Sequence, residues 1–255
     1  MAEPLIPLPK VQPQGSGMQD TPDETLFAAI IYVLVSGCAW RALPPCFGIS
    51  KSTGHRRFLI GSRAGVWARL HEEVLHRLDD GGFLDLSRAV LDSAHVRAKK
   101  DELTGTSPVD RGKQGSGMHV LSDANGLPLL VGISAANDHD SLALKPVVQG
   151  HQTRHDPHRG RYLKPQRLYA DKAYDAPHLR KWLRGKHIGV RTACKGAESS
   201  ERLGRRKWVI ERTMSWLTGH RRLNHHCERY PRNHLAFLGL AAALCCHKRL
   251  ARLTT

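Results

Sequence analysis

The chain is short of acid. It carries only 23 Asp and Glu against 39 Lys and Arg, a formal net charge of +16, with 16 His besides. An imbalance of that size implies a polyanionic partner, either nucleic acid or an anionic membrane surface. Charge alone does not separate a catalyst from a structural nucleic-acid binder. Long apolar runs are also missing. The longest, residues 235–246, falls short of the ~20 residues that span a bilayer, so a membrane-spanning helix is excluded and a core helix expected. Six cysteines show neither a CxxC pair nor a regular framework, which excludes a disulfide scaffold. No secretory signal precedes them, so reduced thiols and a cytoplasmic location are expected. His225, His226 and Cys227 are zinc-ligand types, but adjacent residues cannot easily share one tetrahedral ion. There is no internal repeat. The 40% apolar content is enough for a real core, in one large or two modest domains.

Residues 1–20, rich in Pro, Gly and Gln, read as a flexible lead-in. Thr21-Pro22-Asp23-Glu24 then marks a helix start, with Thr21 as N-cap, Pro22 at the first helical position and Glu24 in the capping box. That helix is expected to end near Gly37. A second starts at Ser52, carrying His55, Arg56 and Arg57 in its first turns with Phe58 and Leu59 inward; a third covers 66–78. Three short helices with a basic middle one suit a helix-turn-helix-like unit over residues 21–82 that lays a helix in a major groove. The plainer alternative is a helical cap with solvated arginines.

From residue 85 onward the pattern changes. Residues 88–96 read as a strand. Residues 119–122 and 127–135, joined at Asn125-Gly126, read as a hairpin, and the polar, glycine-rich stretch 99–117 as a loop. A helix at 141–149 precedes a basic surface stretch at 150–165. Then come strand 167–170, helix 176–184, strand 188–193 and helices at 205–217 and 233–248. The order β-β-β-α-β-α-β-α predicts an α/β (α+β) mixed sheet flanked by helices.

Three acids stand out. Asp92 lies inside the first strand, Asp171 just after the fourth, and Glu211 on the helix that follows. A carboxylate at the end of a core element costs free energy unless something compensates it. If the first and fourth strands are neighbours, both aspartates point to a common place, and Glu211 arrives from a helix packed on the sheet. On that helix Val209, Ile210, Thr213, Trp216 and Leu217 form the expected buried stripe, with Lys207, Glu211 and Thr218 on the opposite edge. Hard oxygen ligands favour Mg²⁺ or Mn²⁺, and two such ions held by three carboxylates are apparatus for phosphodiester cleavage and transfer. Taken singly, each acid also reads as a surface charge or helix-end residue. His119 reads as a phosphate contact or, more simply, a packing residue. Asp138, Asp140 and Asp175 read as turn and cap residues.

These motifs resemble an insertion-sequence transposase with a DDE catalytic triad and a ribonuclease-H-like fold. GCAWRALP (37–44), HRRF (55–58) and RAGVW (63–67) are similar to the N-terminal helical region of that group. LDSAHVRAKK (91–100) resembles its first Asp motif and YADKAYDA (169–176) the second. LSDANGLPLLVGISAANDHDS (121–141) resembles its hairpin, and RRKWVIERTMSWLTGHRRL (205–223) its Glu helix. The resemblance implies Asp92, Asp171 and Glu211 as catalytic metal ligands in residues 85–255, with two Mg²⁺ or Mn²⁺ ions. It implies double-stranded DNA as partner, both terminal inverted repeats and target, a homo-oligomer on DNA, and a bacterial, nucleoid-associated location. Expected DNA contacts are Arg56, Arg57, His119, Lys207, Arg212, Arg221 and Arg222. The chain departs from the group's pattern at four places. Lys207 stands where Arg is usual four residues before the Glu, and Thr218 replaces a basic residue seven after it. Gly117-Met118 replaces a Lys before His119, and Gly61 replaces a frequent Trp, which would leave a hole. Two further readings stay open: a stand-alone ribonuclease-H-like nuclease, and a weakened DNA-binding copy that represses active relatives.

Overall fold

The computed structural model describes residues 21–99, 103–154, 163–193 and 200–254, apart from the side chains of 200–207. The chain opens with three helices, α1 (Asp23–Ser36), α2 (Lys51–Arg63) and α3 (Val66–Asp80). α1 ends as expected, with Gly37 at φ 71°, the left-handed conformation that glycine adopts without a Cβ penalty. Its start differs: Pro22 occupies the N-cap position and no side chain caps the helix. Ser50 does cap α2, accepting a hydrogen bond from the Thr53 amide.

The sheet follows. Strands β1 (Ala89–Ala98), β2 (Gly105–Thr106), β3 (Gln114–Ser122) and β4 (Pro128–Ala135) come first, then α4 (Ser141–Val148) and β5 (Arg167–Ala170). α5 (Pro177–Gly185), β6 (Gly189–Thr192), α6 (Ser200–Thr218), the two-residue β7 (His225–His226) and α7 (Pro231–Thr254) complete it. β1 is central, antiparallel to β3 and parallel to β5, while β4 pairs with β3 and β6 with β5. The expected mixed sheet with its first and fourth long strands adjacent is therefore present. One expectation fails: residues 114–117 belong to β3 rather than to a loop. Gly-Ser-Gly there hides the strand signal, yet a Cβ on Gly117 would lie 2.9 Å from the Ser134 hydroxyl, so close packing favours glycine.

The two faces of the sheet are covered differently. Val90, Met118, Val120, Val131 and Ile133 share a core with Ile210 and Leu217 of α6, with α7, and with Ile30, Phe58 and Trp67 of the first helices. Leu91, Leu121, Leu129 and Leu168 pack on the other side against α4, α5 and the end of α3. Phe58 stacks on Phe237 of α7 with ring centroids 4.1 Å apart, so α2 joins the core of the sheet directly. Residues 235–243 of α7 are buried without a break, the expected signature of a helix hydrophobic all round. The hole anticipated at Gly61 is largely filled. A Cβ there would meet the Trp67 ring at 2.9 Å, and only about 30 Å³ stays open beside it.

Candidate active site

Strand register places the first two acids. Leu91 pairs with Ala170 across the parallel β1–β5 ladder, so Asp92 and Asp171 are the next residues on two adjoining strands. Val90 and Tyr169 face the core that contains α6. Because side chains alternate along a strand, Asp92 falls on that face as well, and Asp171, whose backbone is still extended, follows Tyr169 there. Ile210 of α6 packs on the same face, and Glu211 is the residue after it, exposed to solvent. Both aspartates are partly buried. Asp92 Oδ1 accepts a hydrogen bond from the Ser93 amide at 3.0 Å, and Asp171 Oδ1 one from the Ala173 amide at 2.7 Å.

The donor set suits a hard divalent cation. Both aspartates offer carboxylate oxygens, the ligand type such ions prefer. Among the described residues no three His, Cys, Asp or Glu side chains converge tightly enough to hold an ion, so Glu211 does not close the set by itself. The same holds for the His225, His226 and Cys227 triplet. His225 and His226 instead form β7, pairing beside Arg97 and Ala98 of β1.

Tyr174 was not singled out from sequence, although it sits three residues after Asp171. It is 1% exposed, and its hydroxyl, beside Ser93, makes no hydrogen bond of good geometry. Burial, with Asp140, Asp92 and Asp171 nearby, pushes its pKa well up, so it stays a proton-bearing donor at the edge of the acid pair.

The basic candidates divide. Arg56 and Arg221 are exposed. Arg57 instead pairs with Asp23 of α1 at 2.8 Å. Arg222 pairs with Glu228, lies over the Phe237 ring and donates to the Cys38 carbonyl at 3.0 Å; both are internal struts. Arg212 is held between Trp208 and Trp216, 4.6 and 4.8 Å from the ring centres, and donates to the Asn125 carbonyl at 2.5 Å. Trp216 is thus 40% exposed and not part of the buried stripe, which is Val209, Ile210, Thr213 and Leu217. The Lys207 side chain lies outside the described residues. Thr218 donates to the Met214 carbonyl. The cap roles expected of two acids are not made: Asp140 forms no cap bond, and Asp175 pairs with Arg180.

His119 is 1% exposed and hydrogen bonded through Nε2 to the Ser134 hydroxyl at 2.8 Å, an internal position that fits the packing reading. Burial lowers its pKa to about 4, and does the same for His71 and His226. Their unfolded values lie near 6.5, so between about 6.5 and 4 the unfolded chain binds more protons than the folded one. Stability is full above that window and is lost as pH falls through it. Melting temperature should therefore drop steadily from pH 7 to pH 5. A flat profile would mean that these rings are solvated.

A mixed sheet in the order β4-β3-β1-β5-β6, with helices on both faces, Asp92 inside β1 and Asp171 just past β5, defines a ribonuclease-H-like fold. The chain belongs to the Transposase DDE domain family, which it matches over residues 84–246. Residues 1–71 match a second family, described as "Putative transposase of IS4/5 family". The "Putative transposase for insertion sequence element IS402" of Burkholderia cepacia is 35% identical over 165 residues, 65% of this chain and 77% of that protein. The "Insertion element IS402 uncharacterized 16.2 kDa protein" of the same organism is 36% identical over 115 residues, 44% of this chain and 78% of that one. The chain is accordingly a transposase of the insertion-sequence kind. Solved structures are more distant. The HTLV-2 integrase catalytic core domain in complex with magnesium is 15% identical, with a TM-score of 0.35 over 62% of this chain and 84% of that one. The Mos1 pre-cleavage transpososome is 12% identical, with a TM-score of 0.33 over 95% and 82%. Among the described residues no helix is long and apolar enough to cross a membrane.

Proposed function

We propose that this transposase binds the terminal inverted repeats of its element, cuts DNA at those ends and joins the freed 3′-hydroxyls to target DNA, as at least a dimer when two ends are held together. The observation that carries the reading is the register that sets Asp92 beside Asp171 on the face covered by α6. Those two carboxylates would hold the divalent ions, with Glu211 supplying a third from α6. Bound Mg²⁺ or Mn²⁺ would lower the pKa of an attacking water or 3′-hydroxyl and stabilise the leaving oxygen. Tyr174 keeps its proton and offers a donor beside the aspartates. Of the expected DNA contacts, Arg56 on α2 and Arg221 after α6 are exposed and would meet phosphate, and Lys207 is one turn before Glu211 on the same helix. Helices of the 21–82 region would read the ends.

The test is a duplex carrying the inverted repeats that flank the open reading frame. Added Mg²⁺ should yield nicks and then joined products, and chelation should abolish both. Nicks without joining would reduce the protein to a stand-alone nuclease. Tight binding with no metal-dependent nick would leave a DNA-binding repressor.

A further inference from the structure

A second feature of the surface is not used by the acid pair. Between α6, α7 and the β3–β4 turn runs a groove of about 570 Å³, lined by Arg212, Trp216, His220, Lys248, Arg249 and Arg252, with Asn125, Leu127 and Cys245 at its floor and rim. Among the described residues no Asp or Glu lines it. α7 contains no acid in its 24 residues, and among the described residues no ion pair joins Lys248, Arg249 or Arg252 to a carboxylate. Cations in the last turns of a helix do complement its dipole. That accounts for a preference at the helix end, but it does not explain an opposing wall of the same sign. Arg212 supplies that wall. Its guanidinium is fixed by two indole rings and the Asn125 carbonyl, so little freedom remains to be lost on binding an anion. None of Asp92, Asp171 or Glu211 lines the groove, although Arg212 follows Glu211 on α6.

We infer that this groove, which the three acids do not line, binds the sugar-phosphate backbone of duplex DNA as a second anchoring point for element or target DNA. The assignment rests on the transposase reading for the identity of the polyanion, and on the groove's own chemistry for the site. A second copy of the chain is the rival occupant, since Trp216 and Trp208 are exposed. A +16 chain meeting an all-cationic groove is electrostatically unfavourable, and DNA reverses that sign.

The experiment uses the full chain and measures affinity for an end-containing duplex without divalent metal, across a range of salt concentrations. Each phosphate contact contributes about 0.9 to the slope of log K against log salt. The triple variant Lys248→Gln/Arg249→Gln/Arg252→Gln should therefore lower that slope by about 2 to 3. A charge-matched control, Lys181→Gln/Arg184→Gln/Lys186→Gln at exposed positions on and just after α5, should leave it nearly unchanged. All six residues are exposed, so folding should survive, and the melting temperature verifies it. Arg252→Glu gives a single-site second reading in the same direction. An unchanged slope in the α7 triple, or an equal fall in the control, overturns the assignment. So does an unchanged slope with a shift in sedimentation toward monomer, which would make the groove a contact between copies. Because binding is read without metal, a wild-type protein that never nicks would refute the catalytic reading while leaving this result standing.

Discussion

Asp92→Asn should cut metal-dependent nicking of an end-containing duplex by about a thousandfold or more while leaving its binding to that duplex within a few-fold of the parent. A metal-based Lewis acid contributes several kcal/mol to stabilising charge in the transition state, and about 4 kcal/mol corresponds to roughly a thousandfold in rate. Asparagine matches aspartate in shape and keeps the oxygen that accepts from the Ser93 amide, so the strand should hold and only the ligand's charge is removed. Asp171→Asn should behave alike, since its oxygen likewise anchors the Ala173 amide. The double variant should be little worse than either single one, because residues that act as a unit are strongly non-additive. Nicking within tenfold of the parent in either single variant would remove both aspartates from the chemistry, provided circular dichroism shows an intact fold.

Arg222→Met should cost about 3–5 kcal/mol of stability. The side chains of Arg222 and Glu228 are only 11% and 6% exposed, and removing one member of a buried pair strands the other charge without a partner. For a chain of this size that corresponds to a fall in melting temperature of about 10 °C. Adding Glu228→Gln to Arg222→Met should restore much of the loss, since the unpaired charge goes with it. Thermal unfolding separates this reading from the one suggested by the sequence. An unchanged melting temperature with weakened DNA binding would return Arg222 to the DNA surface.

Most of the secondary structure was legible because its signals are local. β5 and α4 fall where apolar spacing and flanking turn residues put them, and Gly37 closes α1 as a left-handed glycine should. That β1 and β5 are neighbours, with Asp92 and Asp171 each following a paired residue, was legible as well. What escaped was set by tertiary partners. Arg57 and Arg222 look like their neighbours Arg56 and Arg221 in sequence, yet Asp23 and Glu228, 34 and 6 residues away, take them up. Spacing puts Trp216 on the buried stripe, yet its ring stacks on Arg212 and stays at the surface. The amino-terminal part of β3 was hidden because glycine carries no hydrophobic signal, and the buried hydroxyl of Tyr174 becomes visible only when β5 is laid beside β1.

The stacked rings of Phe58 and Phe237 have a bearing on how such proteins diversify. An ancestor could not exchange its first three helices for those of a cousin without leaving an aromatic on α7 uncovered. New specificity for element ends would then arise by changing outward residues such as Arg56 in place, and hybrid chains spliced near residue 83 would be expected to come out of solution.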